Sequence, residues 1–229
     1  MNRKHLSAFT LIEMLVVISI IAVLAAFAVP ALTSALTRGQ MTGTMNNARQ
    51  FFLAAQQMAL DGAANSDANL TWPGDGTAVT SLQAYINKLI AGNYLQPADV
   101  QKLLSAPGAP CAVTITSGTP STVTLTGTTC ALKVYQVKDS DTSNTIFGVT
   151  NNYTYNTALN SKNSPFGDKG FVAQRKGGDA SLLRTNNATA ASGADTSFQS
   201  TTGKLVGDAD GTASKGDKGA DGRTALTFP

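Results

Sequence analysis

The sequence predicts an α+β protein: a long N-terminal helix, kinked near Pro30, whose C-terminal half packs on a small antiparallel sheet domain with short extra helices and long loops. Three observations predict it. From Phe9 to Leu36 the chain is almost wholly apolar or small, with Glu13 its single charged residue. Beyond that run, Met45, Ala48, Phe51, Phe52, Ala55 and Met58 recur at helical spacing. From Cys111 the apolar period drops to two, the signature of strands that face a core on one side.

The apolar run spans 28 residues. At about 1.5 Å per residue it extends roughly 42 Å, enough to cross a hydrocarbon core of about 30 Å. A carboxylate in such a segment costs roughly 2.5–3.5 kcal/mol at the helix centre and less near its end. Glu13 is therefore a functional candidate, and the cost calls for a partner. The simplest is a positive charge at position 9 on the same helical face, or that group on a neighbouring subunit. Position 9 becomes positive if the chain is cut between Ala8 and Phe9, which creates a new α-amino group. The preceding residues are short, polar and basic, with Arg3 and Lys4, and Ala8 is small enough for a protease pocket.

On Ser7-Ala8-Phe9-Thr10-Leu11-Ile12-Glu13, the apolar run and Pro30, the chain resembles the type IV pilins and type II secretion pseudopilins. The resemblance implies cleavage before Phe9 by a prepilin peptidase, N-methylation of Phe9, and a role for Glu13 in guiding assembly into a helical filament. Ala8 stands where the family usually has glycine. The expected divisions are a leader over residues 1–8, a membrane and filament-core helix over 9–36, its amphipathic continuation over 37–62, and a globular domain over 63–229. Partners implied by the resemblance are copies of the chain, other pilin-like subunits, inner-membrane assembly machinery, the prepilin peptidase, and membrane lipid before assembly. The expected location is the bacterial inner membrane, single-pass, with a cytoplasmic N-terminus and a periplasmic C-terminal domain, followed by a pseudopilus or a surface pilus. The leading function is a type II secretion pseudopilin. A surface type IV pilin is the alternative, and a third reading is a membrane-anchored binding protein that never polymerises. Residues 26–28, Ala26-Phe27-Ala28, also fit the cleavage site of a plain secretory signal, which leaves Glu13 unexplained.

Composition narrows the chemistry. The chain has 17 basic and 14 acidic residues. Removing Arg3 and Lys4 with the leader brings the two nearly into balance, so no bulk basic surface for nucleic acid is expected. The one histidine, His5, lies in the leader. A processed chain has none, which excludes Ser-His-Asp and Cys-His catalysis and the usual His-based zinc sites. No enzyme is expected.

Taken in order, Pro30 lacks an N–H and crowds the preceding turn, so a kink or melted turn is expected there. The amphipathic half should run to about Leu60, where Asp61-Gly62 stops it. Trp72 should pin the following loop to the domain, and Phe51 and Phe52 should be core. Thr80-Ser81-Leu82-Gln83 reads as a capping box before a helix with Leu82, Tyr85, Ile86, Leu89 and Ile90 on one face. Pro97 opens another, with Val100, Leu103 and Leu104 inward, ended by Pro107-Gly108. Strands around Cys111–Ile115, Val123–Leu125 and Cys130–Val134, extended by Ile146–Val149, should form a meander with a Thr-rich face to solvent. Residues 151–200 should be long loops with one or two short strands, and Thr224–Phe228 a final edge strand.

Cys111 and Cys130 suggest a disulfide in an exported chain. The first and third strands of a meander lie about 9.6 Å apart, beyond disulfide reach. The bridge therefore needs Cys130 in the turn after the second strand. In the Gly-rich segment 203–222, Asp208, Asp210, Asp217 and Asp221 are candidate calcium ligands, with Asp208-Ala209-Asp210-Gly211 copying part of a calcium loop. The resemblance to major pseudopilins implies the same metal, whereas Lys204, Lys215, Lys218 and Arg223 neutralise the region. No other cofactor is expected.

Overall fold

A computed structural model describes residues 9–229 except 77, 193, 194 and 213. Two compact units result, Met1–Gly39 and Gln40–Pro229, and the first helix, α1 (Leu11–Asn65), contributes to both. The first unit is the apolar part of α1. Its large side chains face outward, Leu11 at 82% and Phe27 at 79% exposure. It belongs to the one helix among the described residues that is long and apolar enough to cross a membrane. The helical assignment runs through Pro30 without a break, so the expected melted turn is absent. The Thr33 hydroxyl donates to the Pro30 carbonyl at 3.0 Å, and that of Thr37 to the Thr33 carbonyl at 2.9 Å. Neither bond reaches the Ala26 carbonyl, which a Pro30 N–H would have met in the helical ladder.

In the second unit, α1 buries Met41, Thr44, Ala48, Phe51, Phe52, Ala55 and Met58, a stripe at helical spacing. This stripe packs the amphipathic half of α1 into the core of the second unit. The helix continues three residues past Gly62, whose missing side chain admits the Leu70 carbonyl: a Cβ there would lie 1.7 Å from that oxygen. Around the stripe sits an aromatic cluster. Phe52 stacks on Trp72 at 5.9 Å and meets Phe147 edge-on at 5.4 Å, while Phe51 stacks on Phe147 at 6.0 Å. Trp72 does pin its loop.

Two short helices follow, α2 (Leu82–Ala91) and α3 (Pro97–Leu104). The capping box expected at Thr80 does not form. Ser81 is the N-cap, and the Gln83 side chain instead accepts the Leu125 N–H at 2.9 Å.

The strands divide differently from the expected meander. A hairpin of β1 (Val113–Thr116) and β2 (Thr122–Leu125) stands alone as a two-stranded sheet. A second, antiparallel sheet has the order β3 (Leu132–Val134), β4 (Ile146–Thr150), β5 (Phe171–Arg175), β6 (Ala180–Leu183). The free edge of β2 is closed by α2, since the Asn87 side chain both donates to the Val123 carbonyl and accepts its N–H. With its edge occupied in this way, β2 does not pair with β3. Ile115, expected inward, is 48% exposed.

The expected Thr-rich face to solvent lies on the hairpin, where Thr114, Thr116, Thr122 and Thr124 are exposed, whereas β4 and β5 are buried at every position. On the far face from Leu132 and Val134, Lys133 and Tyr135 reach Asp217 of the C-terminal segment. A further helix, α4 (Thr196–Thr202), is capped by Asp195, whose carboxylate accepts the Phe198 N–H at 3.0 Å. Residues 224–228 make isolated bridges to Ser81, Tyr135 and Lys218 rather than the expected edge strand.

Four of the five tyrosines, Tyr85, Tyr135, Tyr153 and Tyr155, are fully buried, and burial pushes each phenol up. A phenol raised in the fold favours folding below its unfolded value of about 10, and that contribution is lost as pH rises above it. Tyrosinate absorbance is expected to rise for these four in one step that coincides with alkaline unfolding. Titration of all five before unfolding rules this packing out.

Candidate functional site

The candidate site is the start of α1, where the sequence places its one membrane-level charge. Phe9 and Glu13 lie within the described residues, and Ala8 lies outside them. Glu13 sits in the first helical turn, where the N-terminal end of the helix dipole favours negative charge. Its Oε2 accepts the Thr10 N–H at 2.8 Å and the Thr10 hydroxyl at 2.6 Å. The Thr10 Oγ1 in turn accepts the Glu13 N–H at 3.3 Å. This is a reciprocal capping box, with Thr10 as N-cap and Glu13 at the third helical position. In the uncleaved single chain the partner of Glu13 is thus Thr10. The signal was legible, for Thr10-Leu11-Ile12-Glu13 is a T-x-x-E pattern of the kind sought at Thr80.

These features define a chain with a helix long and apolar enough to cross a membrane, a capped carboxylate at the start of that helix, and a folded α+β domain. Residues 3–29 match the family described as the prokaryotic N-terminal methylation motif. The chain therefore carries the prepilin-type signal of type IV pilins and pseudopilins, whose subunits are structural. Searches of curated proteins and of solved structures found no match.

The other candidates fall elsewhere. The four aspartates do not converge. Asp217 accepts Lys133 Nζ and the Tyr135 hydroxyl, each at 2.6 Å. Asp210 pairs with Lys204 at 2.8 Å. Asp221 pairs with Arg223. Asp208, 6% exposed, accepts the Ser214 hydroxyl at 2.7 Å and its N–H at 3.1 Å. Among the described residues no group of three His, Cys, Asp or Glu can hold a metal. The donor set does not fit calcium, since three of the four carboxylates already face a protein cation. Chelator and added calcium are both expected to leave the melting temperature unchanged. A rise of several degrees with calcium overturns this assignment.

Sequence reasoning missed Lys133, Tyr135 and Asp141 as partners of this segment. Arg223 makes a bidentate pair with Asp141, at 2.6 and 2.8 Å, and also donates to Asp221 and to the Gln136 carbonyl. Gly207 and Gly219 permit this approach. A Cβ at Gly207 would lie 2.2 Å from Asp221 Oδ1, and one at Gly219 would lie 1.6 Å from the Val206 carbonyl. Burial pushes the Asp221 carboxyl up, but the hydrogen bonds and charge of Arg223 outweigh it and hold it below its ordinary value. Its contribution is present above the unfolded value of about 4 and is lost as pH falls through the lower folded value. Arg223→Ala strands Asp141, which is 11% exposed. It is expected to cost about 3 kcal/mol at neutral pH and progressively less in acid, read by urea unfolding across pH.

Cys111 and Cys130 are both buried and both free thiols, so the expected bond is not formed in this structure. Its geometric condition is nevertheless met, because Cys130 lies in the connection after β2 and outside β3.

Proposed function

We infer that this chain is a pilin-like structural subunit, and within that class a pseudopilin of a type II secretion system that builds a periplasmic pseudopilus. The observation that carries the reading is the coincidence of the methylation motif with a single carboxylate capped in the first turn of an exposed apolar helix. In this reading a prepilin peptidase cuts between Ala8 and Phe9 and methylates the Phe9 amine. The helix over 9–36 holds the subunit in the inner membrane, N-terminus inside, until assembly machinery adds it to the filament. There Glu13 leaves Thr10 for the Phe9 amine of a neighbouring copy, and the apolar surfaces pack into the filament core. The work is mechanical and needs no catalytic group. Within that class the secretion-system assignment rests on the Asp- and Gly-rich composition of segment 203–222 alone, three of whose aspartates pair with lysine or arginine and form no calcium site.

Mass spectrometry of the protein purified from membranes is expected to give N-methyl-Phe9 as its first residue. A mature N-terminus at Val29 overturns the polymerising reading. Deleting the chain is expected to strand folded exported proteins in the periplasm. Intact secretion with loss of surface fibres assigns it to a type IV pilus instead.

A further inference from the structure

The fold brings the chain's two cysteines together although they belong to different connections. Cys111 lies between α3 and β1, Cys130 between β2 and β3. They are 0% and 2% exposed, and the Cys130 thiol donates to the Leu132 carbonyl at 3.2 Å. Backbone contacts hold the two connections side by side. The Ala131 N–H donates to the Leu104 carbonyl at 2.7 Å, and the Thr126 N–H to the Ala112 carbonyl at 2.9 Å. The Thr129 hydroxyl donates to the Pro110 carbonyl at 2.8 Å, and the Cys111 N–H to the Ser105 hydroxyl at 2.9 Å. Because β3 has left the hairpin for the larger sheet, the two-strand gap that forbids a bridge in a meander does not arise.

We propose that this pair is the site of an intrachain disulfide that closes the β1–β2 hairpin into a covalent loop, introduced by thiol–disulfide exchange before the hairpin packs. The oxidant is an oxidised exchange protein of the compartment. One cysteine thiolate attacks the partner's disulfide, forming a mixed disulfide and expelling one partner thiolate. The second cysteine thiolate then attacks the mixed disulfide at the first cysteine's sulfur, forms the intrachain bond and expels the other partner thiolate. Two electrons pass to the partner, whose two thiolates balance the two protons released by the cysteines. Burial fixes the order of events. A protein-sized partner reaches neither sulfur once α2 and α3 have packed on the hairpin. Pairing with Cys111 and burial push the Cys130 thiol up while the same pairing holds Cys111 below its ordinary value, so access and not acidity bars the folded pair. The oxidising compartment rests on the periplasmic location proposed above.

The test uses the full chain extracted from membranes without reductant, denatured, alkylated and digested with trypsin. Both cysteines fall on one peptide, residues 103–133. The expected peptide carries no alkyl group and weighs two hydrogens less than the dithiol; reduction adds two alkyl groups. Reducing the wild-type protein is expected to lower its melting temperature by roughly 5–10 °C, and a Cys111→Ser, Cys130→Ser double variant to melt at the reduced value. A bond that forms only on refolding in oxidised glutathione supports the site and overturns the oxidising location. Two alkylated cysteines after both preparations overturn the proposal.

Discussion

Glu13→Ala is expected to leave cleavage and N-methylation intact and to lower the recovery of sedimentable filaments roughly a hundredfold. The magnitude follows from what the residue does at the moment of assembly. A charge held at membrane depth without a partner costs roughly 2.5–3.5 kcal/mol near the helix centre, and every 1.4 kcal/mol is about tenfold in an equilibrium. On the proposed function, without the carboxylate the Phe9 amine of each added copy would enter the filament core unpaired. The capping box offers a second explanation of the same loss, because Thr10 also depends on Glu13. Glu13→Gln separates the two. Glutamine keeps the hydrogen bonds of the cap but carries no charge, so it is expected to assemble as poorly as alanine. Normal filaments from the glutamine variant assign Glu13 to capping and remove its role as the assembly charge.

Phe52→Ala is expected to destabilise the second unit by about 3–5 kcal/mol, measured by urea unfolding of the detergent-solubilised chain. The side chain is fully buried between Trp72 and Phe147, so truncation removes two ring contacts and leaves a cavity that a helix and a sheet close poorly. Against a typical total of about 5–15 kcal/mol, the loss brings the domain close to unfolding at 37 °C. Its neighbour is the control. Leu53, one position on and turned about 100° around α1, is 49% exposed, and Leu53→Ala is expected to change stability by about 0.5 kcal/mol or less. Equal effects at the two positions contradict the orientation of α1 in the domain.

These two residues show which parts of the molecule were legible in the sequence. Glu13 stood out because membrane physics makes one charge in 28 apolar residues conspicuous, and Phe52 because its neighbours repeat at 3.6 residues. The Thr10 cap is equally legible, as the T-x-x-E pattern Thr10-Leu11-Ile12-Glu13. At Thr80 the same pattern failed since Leu125, distant in sequence, recruits the Gln83 side chain. The strands β5 and β6 carried only a weak signal, as both lie in a loop-rich stretch and β5 is buried on both faces and so does not alternate.

The sequence by itself determined the apolar anchor with its signal, the helices α1 to α3, and the split of apolar phase that makes strands of residues 113–134. All of these rest on periodicity or on motifs a few residues long, and local backbone geometry enforces them. The tertiary structure alone decided which strands share a sheet, what meets each aspartate, and that Cys130 lies beside Cys111. Arg223 finds Asp141 across 82 positions and Lys133 finds Asp217 across 84. No local pattern encodes such pairs, because they form only where burial of the core has already fixed the surfaces that carry them.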